Sequence, residues 1–208
     1  MAKCNIIVAD VFELSVAGKF QKAMIDRVKE LYGPCLAAAN AALAPAQKHT
    51  FDVAVATTAK PSVSELDFII YLLPLEMSSI VRKKNGMTPQ QNLLADHWGF
   101  TMTHSVGNTS FSAESELLHK SSDGAAMGSI VFHELLHYKT LKDNAALHGT
   151  GGLGAATVSA GSTLNSTNIR DIASTITRKI TPWLDGWDDC VGALNLKKMN
   201  KDLFDIGL

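Results

Sequence analysis

The chain has 208 residues and a mass of 22.3 kDa, enough for one domain with a sizeable core. Its 19 Lys and Arg against 20 Asp and Glu give a net charge of −1, so no global field argues for nucleic acid or an anionic membrane as a partner. Cys4, Cys35 and Cys190 are odd in number, widely spaced and without C-x-x-C pairing; they read as free buried thiols in a reducing compartment, not as a disulfide framework or a zinc knuckle.

The first ten residues hold one lysine, a brief apolar run and an acid, which is not a secretory signal pattern. Residues 5–12 are rich in β-branched side chains and predict a first strand. From Ser15, an N-cap candidate, Val16, Phe20, Ala23, Val28 and Leu31 recur at helical spacing until Gly33-Pro34, where the pattern predicts a break; a second, alanine-rich helix then runs from Cys35 to Ala44. Residues 51–57 alternate with period two and 68–73 form a continuous apolar run, so both predict strands. The longest apolar stretch, 68–75, includes Pro74 and falls short of the ~18 residues a membrane span needs. The turn-rich segment 83–89 predicts a surface excursion, 99–112 one or two edge strands or a hairpin, and Arg82-Lys83-Lys84 and Lys197-Lys198 solvated faces.

The stretch Val131-Phe132-His133-Glu134-Leu135-Leu136-His137-Tyr138 follows, within a largely apolar, proline-free run from Ala125 to Leu141, with Ser121, Ser122 and Asp123 as N-cap candidates. Histidines four apart share one face of a helix, so both imidazoles can reach one cation. Glu134 projects beside such an ion, where it could take a proton from water. The competing reading is a core helix with two hydrogen-bonded histidines. The metal reading explains all three polar residues together, and burying them without partners costs several kcal/mol.

This His133-Glu134-Leu135-Leu136-His137 set resembles the H-E-x-x-H pattern of the zincin metallopeptidases. The resemblance implies an α+β fold, with a twisted mixed sheet of about four strands, a backing helix, a central active-site helix and a mainly helical C-terminal part. An edge strand would line the substrate cleft, where a peptide can add by main-chain hydrogen bonds. On this reading 1–208 is a single zincin-like domain, with sheet and backing helices in 1–120, the active-site helix in 121–142 and the helical part in 143–208.

A catalytic zinc takes three protein ligands and keeps one open position. Asp143 lies six residues after His137, where metzincin-like enzymes with H-E-x-x-H-x-x-G-x-x-H/D place a third His or Asp, although Thr140 stands at the glycine position. His148 precedes the glycine-rich stretch 149–154. On a straight helix it would lie about 16 Å beyond His137, so the chain must fold back around Asp143-Asn144 for it to serve. His148 is preferred, Asp143 is the close alternative, and Asp171 ranks third.

A second resemblance is to bacterial effector metallopeptidases, which carry an H-E-L-x-H helix, an acidic ligand downstream, a G-L-G element and a T/S-E-N-x-x-R-type segment. Gly152-Leu153-Gly154 fits the third feature and Ser166-Thr167-Asn168-Ile169-Arg170 approximates the fourth, with His148 standing near the acidic ligand's place. The similarity spans about the final third of the chain. It implies a protein cytoplasmic in its producer and exported by a dedicated secretion system, with an immunity protein or a secretion chaperone as partner and a protein or peptide as substrate.

Residues 149–161 read as a mobile loop that borders a cleft or simply connects, and 168–180 as a helix with Ile169, Ile172, Ala173 and Ile176 on one face. Trp183 and Trp187 are expected to pin the C-terminal segment to the core. Tyr138, His97, His104 and His119 are candidate oxyanion donors, with core or surface placement the stronger expectation. The sequence thus predicts a zinc-dependent endopeptidase in which His133, His137 and His148 hold Zn2+ and Glu134 is the catalytic base. The rival is a zinc-containing or metal-free binding module without peptidase activity.

Overall fold

The computed structural model describes residues 1–15, 19–74, 99–104, 107–114, 124–182 and 184–199, with backbone alone at 74, 99–104, 107–114, 197 and 199. Five strands are found among them: β1 (Lys3–Ala9), β2 (Thr50–Ala56), β3 (Phe68–Pro74), β4 (Gly99–His104) and β5 (Gly107–Glu114). They form one sheet in the order β2-β1-β3-β5-β4. β2, β1 and β3 make a parallel core, β5 joins β3 in parallel, and β4 turns back antiparallel on β5 as a hairpin arm. The sheet is therefore one strand wider than predicted, because the 99–112 region supplies two strands. The helices are α1 (Lys19–Asn40), α2 (Gly124–Thr140), α3 (Asn144–His148), α4 (Ser166–Thr175) and α5 (Asp185–Met199).

Successive side chains on a strand point to opposite faces, and here both faces are covered. Ile6 and Val8 of β1 with Phe68, Ile70 and Leu72 of β3 pack against α1 and α2. Ile7, Ala9, Ile69, Tyr71 and Leu73 pack on the other face against Trp187 and Cys190 of α5. Two-sided burial explains why 68–73 reads as an unbroken apolar run. Trp187 pins the C-terminal helix as expected; Trp183, like His97, His119, the caps at 121–123 and the 82–89 segment, lies outside the described residues.

α1 corrects one expectation: it continues through Gly33-Pro34 to Asn40 as a single helix. A proline inside a helix costs about 3 kcal/mol because it strips the hydrogen bond from the carbonyl four residues back. Here Pro34 and Glu30, which owns that carbonyl, are both exposed, so water can serve the orphan oxygen. The buried stripe Phe20, Met24, Val28, Leu31 and Cys35 runs past the proline and holds the two halves in line. The Ser15 hydroxyl donates to buried Asp10 at 2.6 Å; residues 16–18, which a cap at Ser15 would serve, lie outside the described residues.

α1 and α2 meet through backbone. A Cβ at Gly124 would lie 2.2 Å from the Phe20 carbonyl oxygen, and one at Gly128 would lie 2.7 Å from that of Met24. Only glycine permits this approach. α2 itself packs across β3, β5 and β4 and is buried almost throughout, which its apolar sequence requires. The three cysteines are free and buried, and no described helix is long and apolar enough to cross a membrane.

Candidate metal centre

His133, Glu134 and His137 all lie on α2 and are buried, at 7%, 1% and 7% exposure. At about 100° per residue, His137 stands about 40° round the helix from His133 and Glu134 about 60° beyond it, so the three share one side. The rings of His133 and His137 have centroids 4.9 Å apart.

Each of these imidazoles is held by a backbone carbonyl. His133 Nδ1 lies 2.8 Å from the Leu153 oxygen and His137 Nδ1 lies 2.9 Å from the Lys142 oxygen. A carbonyl can only accept, so both Nδ1 atoms carry the proton, and the lone pair of each ring is on Nε2. This is how metal-binding histidines are commonly oriented, with the outer nitrogen donating and the inner one left for the ion.

His148 reaches the pair because the chain turns sharply after α2. The Thr140 hydroxyl donates to the Leu136 carbonyl at 2.6 Å, and Leu141 takes a left-handed φ of 59°. A left-handed backbone at a leucine costs about 1 kcal/mol. Asp143 then caps α3, its side chain accepting from Ala146 N at 2.8 Å. His148 closes that one short helix, with its ring centroid 5.4 Å from those of both His133 and His137. Nε2 of His148 is shielded from solvent.

The three histidines are close enough to bind one metal ion, since their ligand atoms all lie within 4.8 Å of one another. Even an equilateral triangle of that 4.8 Å side has its centre only about 2.8 Å from each corner, and small torsional adjustments close that to a Zn–N bond of about 2.0–2.1 Å. The donor chemistry fits as well. Burial lowers the His133 pKa to about 4, with His137 and His148 adding to the effect, and burial first of all lowers that of His137. Both rings are therefore neutral at pH 7, the form in which imidazole binds metal. Three imidazoles leave a tetrahedral ion one position for another ligand.

The other candidates are placed elsewhere. Asp143, exposed, is spent on its cap and reaches His137 only as a nearby charge. Asp171 is paired with Lys142 Nζ and lies 3.9 Å from Arg170 Nε. The Tyr138 hydroxyl donates to the carbonyls of Asp67 and Ile180 at 3.3 Å each, so it is no oxyanion donor. Of His104 only the backbone, on β4, is described.

The start of the glycine-rich stretch is built into the surroundings of the histidines. Gly151 and Gly152 take φ of 67° and 58°, and Leu153 is fully buried with its carbonyl against His133. α4 starts at Ser166, not 168, behind an Asn165 capping box, and stops at Thr175 before the predicted 180. The carbonyls of Leu153 and Lys142 were invisible to sequence reasoning because any residue type supplies one. Comparison with family models, with curated proteins and with solved structures gives no match.

Proposed function

We propose that this protein is a zinc-dependent endopeptidase with a zincin-like fold. The observation that carries the reading is the convergence of His133, His137 and His148 beside Glu134 on a buried helix. Imidazole ligands suit several transition metals; zinc is preferred because a three-histidine set with one open position matches its catalytic habit. A bound zinc would polarise a peptide carbonyl and ease the ionisation of water towards neutral pH.

The residues of the chain supply the rest. Glu134 takes the proton from the attacking water and returns it to the leaving amine. His133 and His137 stay neutral because burial disfavours their charged forms. β4, at the edge of the sheet with β5 as its neighbour among the described strands, packs beside α2. Its outer backbone groups support an extended peptide as substrate, added as a further strand. A secreted effector acting on proteins of a target cell is the setting suggested by the resemblance of the final third of the chain, with an immunity protein or chaperone as its partner.

The test compares the zinc-loaded protein with its Glu134→Gln variant on labelled casein and on a mixed extract of cell proteins, counting new peptide N-termini. New termini from the native chain, lost on chelation and lost by 10²- to 10⁴-fold in the variant while zinc stays bound, are expected. Zinc bound by both with no new termini from either overturns the proposal in favour of a non-peptidase zinc module.

A further inference from the structure

α4 carries a polar stripe that the proposed mechanism does not use. Asn165, Asn168 and Asp171 stand three residues apart, which places them on one side of the helix. Asn168 is fully buried, an unusual place for a carboxamide unless its hydrogen bonds are made. Its Oδ1 accepts from Leu153 N at 3.1 Å and Asn165 N at 3.3 Å, and its Nδ2 donates to Thr150 Oγ1 at 3.2 Å. Asn165 Nδ2 donates to the Thr150 carbonyl at 2.8 Å, and the Thr150 hydroxyl donates to the Leu147 carbonyl at 2.7 Å. The segment from Leu147 to Leu153, which holds both His148 and the carbonyl facing His133, is thus tied to the start of α4.

One turn further on, Asp171 grips Lys142 Nζ through a half-buried ion pair. Lys142 is the residue whose carbonyl faces His137. A single helix face therefore steers the outer partners of both α2 histidines, through one link each. Glycine is required where this loop meets the stripe: a Cβ at Gly152 would lie 2.6 Å from Asn168 Oδ1.

We propose that Asn168 and Asp171 are positioning residues of the metal centre, Asn168 fixing the tautomer and orientation of His133 and Asp171 those of His137. This rests on the three histidines being a metal site, although the tautomers themselves can be read without metal. Outer partners of this kind typically change metal affinity by about 10- to 100-fold when lost.

The experiment measures imidazole tautomers in the metal-free full-length protein at pH 7.5 by long-range proton–nitrogen NMR, and zinc affinity by competition with a chromophoric chelator. In the native chain both rings carry the proton on Nδ1. Asn168→Ala should release His133 alone into a mixture of tautomers and weaken zinc about 10- to 100-fold. Asp171→Asn should loosen His137 alone, with a smaller loss. Ile172→Val, which thins the apolar packing of the same helix, should change neither. The proposal is overturned if Asn168→Ala keeps the native tautomers and zinc affinity, or if Ile172→Val reproduces its effects. Should Asn168→Ala fail to fold, Asp171→Asn carries the test alone: an unchanged His137 tautomer there overturns the proposal. Pinned tautomers in a native chain that takes up no zinc would sink the metal reading and leave only the steering of the two imidazoles standing.

Discussion

α2 buries two sets of polar groups, and they end differently. On one side Lys139, fully buried, gives its ammonium to the carbonyls of Leu66 at 2.7 Å and Arg178 at 3.4 Å, while Arg178 returns a hydrogen bond to the Lys139 carbonyl at 2.8 Å. Tyr138 beside it is likewise committed to two carbonyls. On the other side His133 and His137 each commit one nitrogen to a carbonyl and turn the second towards His148. The first set is closed and staples α2 to the chain before β3 and after α4. The second is closed on the outside and convergent within, which is the pattern of a ligand site and not of a staple.

The largest break in that contrast is His148→Ala, which removes the imidazole contributed from outside α2. Zinc affinity is expected to fall on the order of 100-fold or more, as equilibrium dialysis with metal analysis would reveal, because two imidazoles remain where three were held. Acid probes the same end. Unfolded histidine takes up its proton near pH 6.5, but folded His133 does so only at about 4, so between these values the unfolded state binds more protons. The metal-free protein should lose about 3 kcal/mol of stability as the pH falls through that window, with His137 adding to the loss; urea titrations at stepped pH measure it. His133→Asn should flatten the dependence.

The closed end responds in the opposite sense. Lys139→Met leaves the Leu66 and Arg178 carbonyls without their donor and should cost about 2 kcal/mol in urea denaturation, with zinc affinity unchanged. A large affinity loss there would erase the distinction between staple and site. The smallest effect is at the turn. Leu141, 55% exposed with φ of 59°, loses little packing on conversion to glycine and sheds its backbone strain. Leu141→Gly should raise thermal stability by about 1 kcal/mol or less.

The pair on α2 was legible because helical spacing converts His133 and His137 into neighbours with no tertiary information. His148 was legible only as a possibility, since its arrival depends on Thr140, Leu141 and the Asp143 cap acting together. Asp143 offered a signal that ligand reasoning set aside: an aspartate followed by Asn144-Ala145-Ala146 is a good helix N-cap. The five-strand order could not be read at all, because pairing between distant segments leaves no local trace. Helical periodicity continues across Pro34 from Leu31 to Cys35, and this buried stripe outweighs the proline in keeping α1 whole. Sequence marks Asn168 only as a motif position near a helix start; that its amide is turned inward to a loop 15 residues earlier in sequence is a tertiary fact.

Gly124 and Gly128 leave the rear of α2 without padding, so its main chain rests directly on the carbonyls of Phe20 and Met24 and on the stem of Arg27. Such a seat has no compliant layer in which the helix can rock, and α2 acts as an anvil. A single methyl group added there would shove His133 and His137 together relative to His148 while leaving all three chemically intact, and a misplacement of about 1 Å is enough to cost a catalyst about 100-fold. The tolerance of this centre to change is therefore set partly by atoms that are missing, about one and a half and two and a half turns before His133.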